Sequence, residues 1–144
     1  MYTITQIEAI VAQFQDRSLP KEQWTHETHL IVCCWYLLHY SLDESTCLLR
    51  AGIISYNVAV GVENTINRGY HESITLFWIH IIAAFLKKQT GDVATKINYF
   101  LKSNKADKDL LFIYYSRELL LTTKGRATWI APDLKPLNSR LVSE

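Results

Sequence analysis

Residues 24–30, Trp-Thr-His-Glu-Thr-His-Leu, set two histidines three positions apart around a glutamate, immediately ahead of an apolar run. On a helix that spacing puts His26 and His29 on one face. A second cluster follows at residues 69–75, Gly-Tyr-His-Glu-Ser-Ile-Thr, where His71 and Glu72 fall at an expected helix start. A neutral imidazole can offer a ring nitrogen to zinc, iron or manganese, and a carboxylate can complete the set. His26, His29 and His71 are therefore the candidate ligands of a divalent metal ion, with Glu72 or Glu27 as a further ligand or general base. Three protein ligands would leave coordination positions open, which a catalytic metal needs to bind and acidify water. The competing expectation is that His26 and His29 cap or pair locally while His71 lies in the loop, since the more specific HExxH spacing is absent.

Other residues group around this set as candidate substrate contacts. Trp24 stands two positions before His26 and is suited to wall a dry pocket. Asn64 lies in the polar stretch 61–69, and Thr75 falls one turn after His71. Arg117 and Arg126 are candidates to clamp a carboxylate or phosphate in a bidentate fork, or alternatively to tie the chain's end to its body. Cys33 continues the His29 stripe as a possible soft ligand, with core packing the expected role. His39 is roughly 15–20 Å from His26 by the helical rise and is not expected to share the site. His80 reads as a core histidine.

The elements that must position these groups read almost entirely with a helical period. Ile4, Ile7, Val11 and Phe14 step by three and four behind a threonine cap. A second helix is expected from about Lys21 to Tyr40, apolar on all sides in its middle and hence surrounded by others. Ser41 and Glu44 form a capping box for a third, reaching about Ala59, and Gly61 follows as a stop. The stretch 61–69 reads as a loop, a fourth helix runs from about Tyr70 to Gln89, and a shorter fifth carries Val93, Ile97, Phe100 and Leu101. A sixth segment covers about 108–121 and leads into a tail whose two prolines oppose a helical ending. No alternating strand pattern or internal repeat is present. The expected fold is all-α: one domain over 1–144, a bundle of five to six helices with an irregular C-terminal tail, of the kind that builds ligand and metal sites from facing helices.

Composition narrows the function. The 144 residues carry 15 Lys plus Arg against 14 Asp plus Glu, a net charge of +1 that provides no long-range attraction for nucleic acid or an anionic membrane. The three cysteines sit in apolar segments with no CxxC pair, which fits free thiols in a reducing, cytoplasmic setting. No cationic lead precedes an apolar stretch at the start, so no signal peptide is expected, and the apolar run 73–86 is too short to span a bilayer.

The segments "LPKEQWTHETHLIVCCWYLL", "YNVAVGVENTINRGYHESIT" and "YYSRELL…RATWIAPDLKPL" resemble a family of small bacterial proteins of about this length, for which no activity is established. The likeness spans nearly the whole chain, and W-T-H-x-x-H-L with G-Y-H-E-[ST]-I-T carries it. It implies a pattern at Trp24, His26, His29, Asn64, Thr65, Gly69, Tyr70, His71, Glu72, Thr75, Arg117 and Pro132, and no reaction. More loosely the chain is similar to the DinB-like helical bundles, which bind a metal through three histidines and include thiol-dependent transferases and hydrolases. Their paired histidines stand four apart and late in the chain, so that likeness is architectural. The leading expectation is a metal-dependent enzyme acting on a small anionic molecule through metal-activated water. The alternatives are a metal-free small-ligand binding protein and a structural or interaction module.

Overall fold

The structure, a computed structural model, describes residues 1–137 and is all-helical over them. Five longer helices, α1 (Ile4–Gln15), α2 (His26–His39), α3 (Leu42–Ala59), α4 (Glu72–Lys87) and α5 (Val93–Lys102), precede three short ones. Those are α6 (Leu110–Tyr114), α7 (Arg117–Leu120) and α8 (Thr123–Ala127). Residues 131–137 are irregular, as expected of the tail; its final part, 138–144, lies outside the described residues. No helix among the described residues is long and apolar enough to cross a membrane.

Helix starts follow local chemistry. Thr3 with Gln6, and Ser41 with Glu44, form reciprocal capping boxes for α1 and α3, each satisfying two otherwise orphaned amides. Asp92 caps α5 through the Thr95 amide. The second helix begins five residues later than its pattern suggests. Lys21–Gln23 forms a separate 3₁₀ turn, and Thr25 then caps α2 through the Thr28 amide. That cap puts His26 at the first helical position. The fourth helix likewise begins at Glu72 because His71 itself is the N-cap.

α2 is the centre of the bundle. It touches α1, α3, α4 and α5, and Leu30, Ile31, Val32, Cys33, Cys34 and Tyr36 are all buried along it. Burying each large aliphatic or aromatic side chain is worth about 1.5–3 kcal/mol, so a rod buried on every side is a principal source of stability. Tyr56, Phe14, Phe77, Phe100 and Ile82 complete the core from the neighbouring helices.

The expected sixth segment, about 108–121, is instead two short helices, α6 and α7, and α8 follows in the stretch expected to lead into the tail. The chain leaves helical geometry at Tyr115, Ser116 recaps α7 through the Leu119 amide, and Thr122 recaps α8 through the Gly125 amide. Asp133 fixes the first break by accepting hydrogen bonds from both the Ser116 amide (2.8 Å) and hydroxyl (2.6 Å). The Tyr115 hydroxyl donates to the Ile130 carbonyl, so the tail is tied across these short helices.

Candidate functional site

A cavity of about 350 Å³ lies between α2, α3 and α4, lined by Trp24, His26, His29, Leu30, Val32, Cys33, Leu49, Ile53, Ile74, Thr75 and Trp78. Five residues singled out in the sequence, Trp24, His26, His29, Cys33 and Thr75, thus border one space. Its size falls within the range of small-molecule sites, and its walls are mostly apolar with a few polar groups, as such sites require.

The two imidazoles are fixed by bonds made on their far nitrogens. His29 Nδ1 lies 2.6 Å from the Thr25 carbonyl, one turn back on its own helix. A carbonyl only accepts, so Nδ1 carries the hydrogen and Nε2 is left with a lone pair. Burial pushes the His29 pKa down to about 4, outweighing the Thr25 bond, so the ring is neutral near pH 7. The Trp24 ring packs against this imidazole at 3.7 Å between centroids and is itself stacked on Phe14. His26 Nε2 in turn donates to the Ala106 carbonyl at 2.9 Å. Its ring meets Trp78 edge-on at 5.1 Å. The Thr75 hydroxyl donates to the His71 carbonyl at 2.8 Å and also interacts with the Tyr70 side chain. Three polar groups bordering the cavity therefore each donate to a backbone carbonyl, and the neutral His29 keeps an acceptor nitrogen.

His71 is placed differently. It does not line the cavity; Nδ1 accepts from the Ile74 amide at 3.2 Å and Nε2 donates to the Leu120 carbonyl at 2.8 Å. Burial lowers its pKa, with the nearby Arg126 charge adding to the effect against the Leu120 bond. Both nitrogens are engaged, so enlisting this ring as a metal ligand would break either the α4 cap or the link to α7. Among the described residues no group of three or more His, Cys, Asp or Glu side chains is assembled as a metal centre. Cys33 does border the cavity, but burial raises its thiol to about 12, which keeps it protonated and poorly suited to act as a soft ligand or nucleophile.

The two candidate carboxylates face elsewhere. Glu72 accepts from Arg50 Nε (3.0 Å) and Nη2 (2.6 Å) and from the Tyr70 hydroxyl. Burial alone would raise its pKa, yet the bonds from Arg50 and Tyr70 hold it below the ordinary carboxylate value. Glu27 is exposed and accepts from the Tyr2 hydroxyl at 2.6 Å, which helps to lift that phenol to about 12. Neither lines the cavity that holds His26 and His29.

Asn64 is a loop staple. Its side-chain oxygen accepts from Asn57 Nδ2 (3.0 Å) and the Tyr70 amide (2.9 Å), while its nitrogen donates to the Ile54 carbonyl (3.2 Å). Gly69 lies beside it at φ +80°, where an added Cβ would sit 2.4 Å from the Glu63 carbonyl oxygen and 2.6 Å from Asn64 Oδ1. Arg117 is exposed with its guanidinium 4.1 Å over the Phe112 ring, away from the cavity. His39 stacks on Trp35 at the far end of α2, and His80 meets Trp129 edge-on, so neither joins the site.

Trp78 is an unforeseen member of the cavity, and the Ala106 carbonyl is the unforeseen partner of His26. Trp78 stands three residues after Thr75 on α4, a same-face spacing that was available in the sequence. The Ala106 carbonyl is 80 positions from His26, and the Arg50–Glu72 pair spans 22, distances at which no local pattern points from one partner to the other. No family model matches this chain, and no curated protein or solved structure does either.

Proposed function

We propose that the chain is a binding protein for a small, largely apolar molecule carrying hydrogen-bond donors, such as an N–H heterocycle, held in the cavity between α2, α3 and α4. The observation that carries this reading is the polarity of the site: His29 is neutral with its hydrogen on Nδ1, so its Nε2 is left as an acceptor, and His26 and the Thr75 hydroxyl, each donating to a backbone carbonyl, border the same space. A donor buried against His29 Nε2 would be satisfied, whereas a carboxylate or phosphate would bring further lone pairs and no hydrogen. The indoles of Trp24 and Trp78 supply flat apolar surface for an aromatic body.

The test compares indole, which has one N–H, with indene, which has the same shape and none. Indole is expected to bind and to perturb Trp24 and Trp78, with indene about tenfold weaker, as one hydrogen bond of roughly 1–1.5 kcal/mol implies. His29→Phe should erase the difference. Equal affinity of the two probes in the wild type would overturn the reading.

The metal-dependent hydrolase remains a second reading, favoured by one observation: two imidazoles with uncommitted nitrogens border one cavity. It requires ligands beyond His26 and His29, and His71 would have to leave its present bonds. Elemental analysis of untagged protein separates the two. Stoichiometric metal that is lost in His26→Ala and His71→Ala alike would favour the enzyme.

A further inference from the structure

A second cleft, of about 440 Å³, opens on the other side of the α4 start, bordered by Arg50, Thr65, Tyr70, Glu72, Thr123 and Arg126 together with apolar surface from Ile54 and Ile66. Its charges do not cancel. Among the described residues Glu72 is the one carboxylate that borders the cleft, and Arg50 grips it with two nitrogens. Arg126 donates through Nη1 to the Gly69 (3.0 Å) and Tyr70 (3.3 Å) carbonyls. Those bonds orient the guanidinium without neutralising it, and among the described residues the hydrogen-bond partners of Arg126 are carbonyls. Among the described residues the cleft thus holds one cation more than it holds anions, on a fork already aimed by the backbone.

We propose that this cleft is a second binding site, for a small molecule that joins one carboxylate or phosphate to a compact apolar body. Arg126 supplies the charge-assisted hydrogen bonds, because a planar guanidinium matches both oxyanions. Ile54 and Ile66 receive the apolar part. Arg117, the other arginine suited to a clamp, is engaged on Phe112 and takes no part.

The site is tested by titrating the full chain with benzoate, phenyl phosphate and the uncharged benzamide. Saturable binding of benzoate or phenyl phosphate is expected, with benzamide at least about tenfold weaker. Which of the two anions binds more tightly assigns the headgroup. Arg126→Gln should weaken the anion by about tenfold or more, Arg126→Lys by less, and Arg117→Gln not at all. Because Arg126 also holds the Gly69–Tyr70 backbone, Thr123→Glu provides an independent variant. Thr123 is exposed in the first turn of α8, where a carboxylate suits the helix, yet the added charge should repel the ligand. Failure of both anions to bind overturns the proposal, as does benzamide binding as tightly as benzoate. Undiminished anion binding in folded Arg126→Gln or Thr123→Glu would overturn it too.

Discussion

His26, His29 and His71 show how one side chain acquires three roles from its surroundings. His29 is neutral, with its hydrogen held by Thr25; His26 is anchored to Ala106; His71 is a helix cap with both nitrogens used. The His26–His29 pair was legible in the sequence because three-residue spacing fixes a shared helical face. The position of His71 was not, since its decisive partner, the Leu120 carbonyl, is 49 residues away. His71→Ala removes the α4 cap and leaves the Leu120 carbonyl without its donor, so we expect a loss of about 2–3 kcal/mol in urea unfolding. His71→Asn keeps a capping oxygen and should lose roughly half as much. Gly69 is a second sensitive residue. Gly69→Ala should be clearly more destabilising than Gly61→Ala. Both glycines have φ +80°, but only at Gly69 does the new methyl meet backbone atoms.

The longer helices were readable because period, cap and stop agreed, as at Ser41, Glu44 and Gly61 around α3. The region after residue 108 was not, because its breaks depend on the returning tail. Asp133 bonds to Ser116 across 17 residues, and the two short helices after that break are each started by a serine or threonine cap. Ser116→Ala should cost about 1 kcal/mol and speed hydrogen exchange at the Leu119 amide, leaving α1 to α5 protected. The α7 segment also supplies the Leu120 carbonyl to His71, so the same variant should loosen the His71 ring. Exchange at Leu119 unchanged from wild type would show that the cap is not what starts α7.

Across the whole molecule, the half-buried histidines link stability to pH. Burial lowers His29 from 6.5 to about 4 and lowers His71 and His80 as well. In each case the unfolded chain takes up a proton before the folded one does. Stability should therefore be full above about pH 6.5 and fall as pH drops toward 4, with His29 contributing on the order of 2 kcal/mol of that loss. His29→Asn should flatten its share of the curve between those limits, measured as the difference from wild type so that the carboxylates cancel. The same shift keeps the His29 lone pair available throughout the neutral range, so the share of binding that depends on His29 should be lost only as pH falls toward 4.

The central claim, that the neutral His29 turns an acceptor nitrogen toward a ligand, is tested most directly by long-range ¹H–¹⁵N NMR of the imidazole nitrogens with and without indole. The expected result near pH 7 is a neutral His29 with hydrogen on Nδ1, and a shift of its Nε2 resonance when indole is added. A charged His29, hydrogen on its Nε2, or an Nε2 resonance indifferent to indole would contradict it.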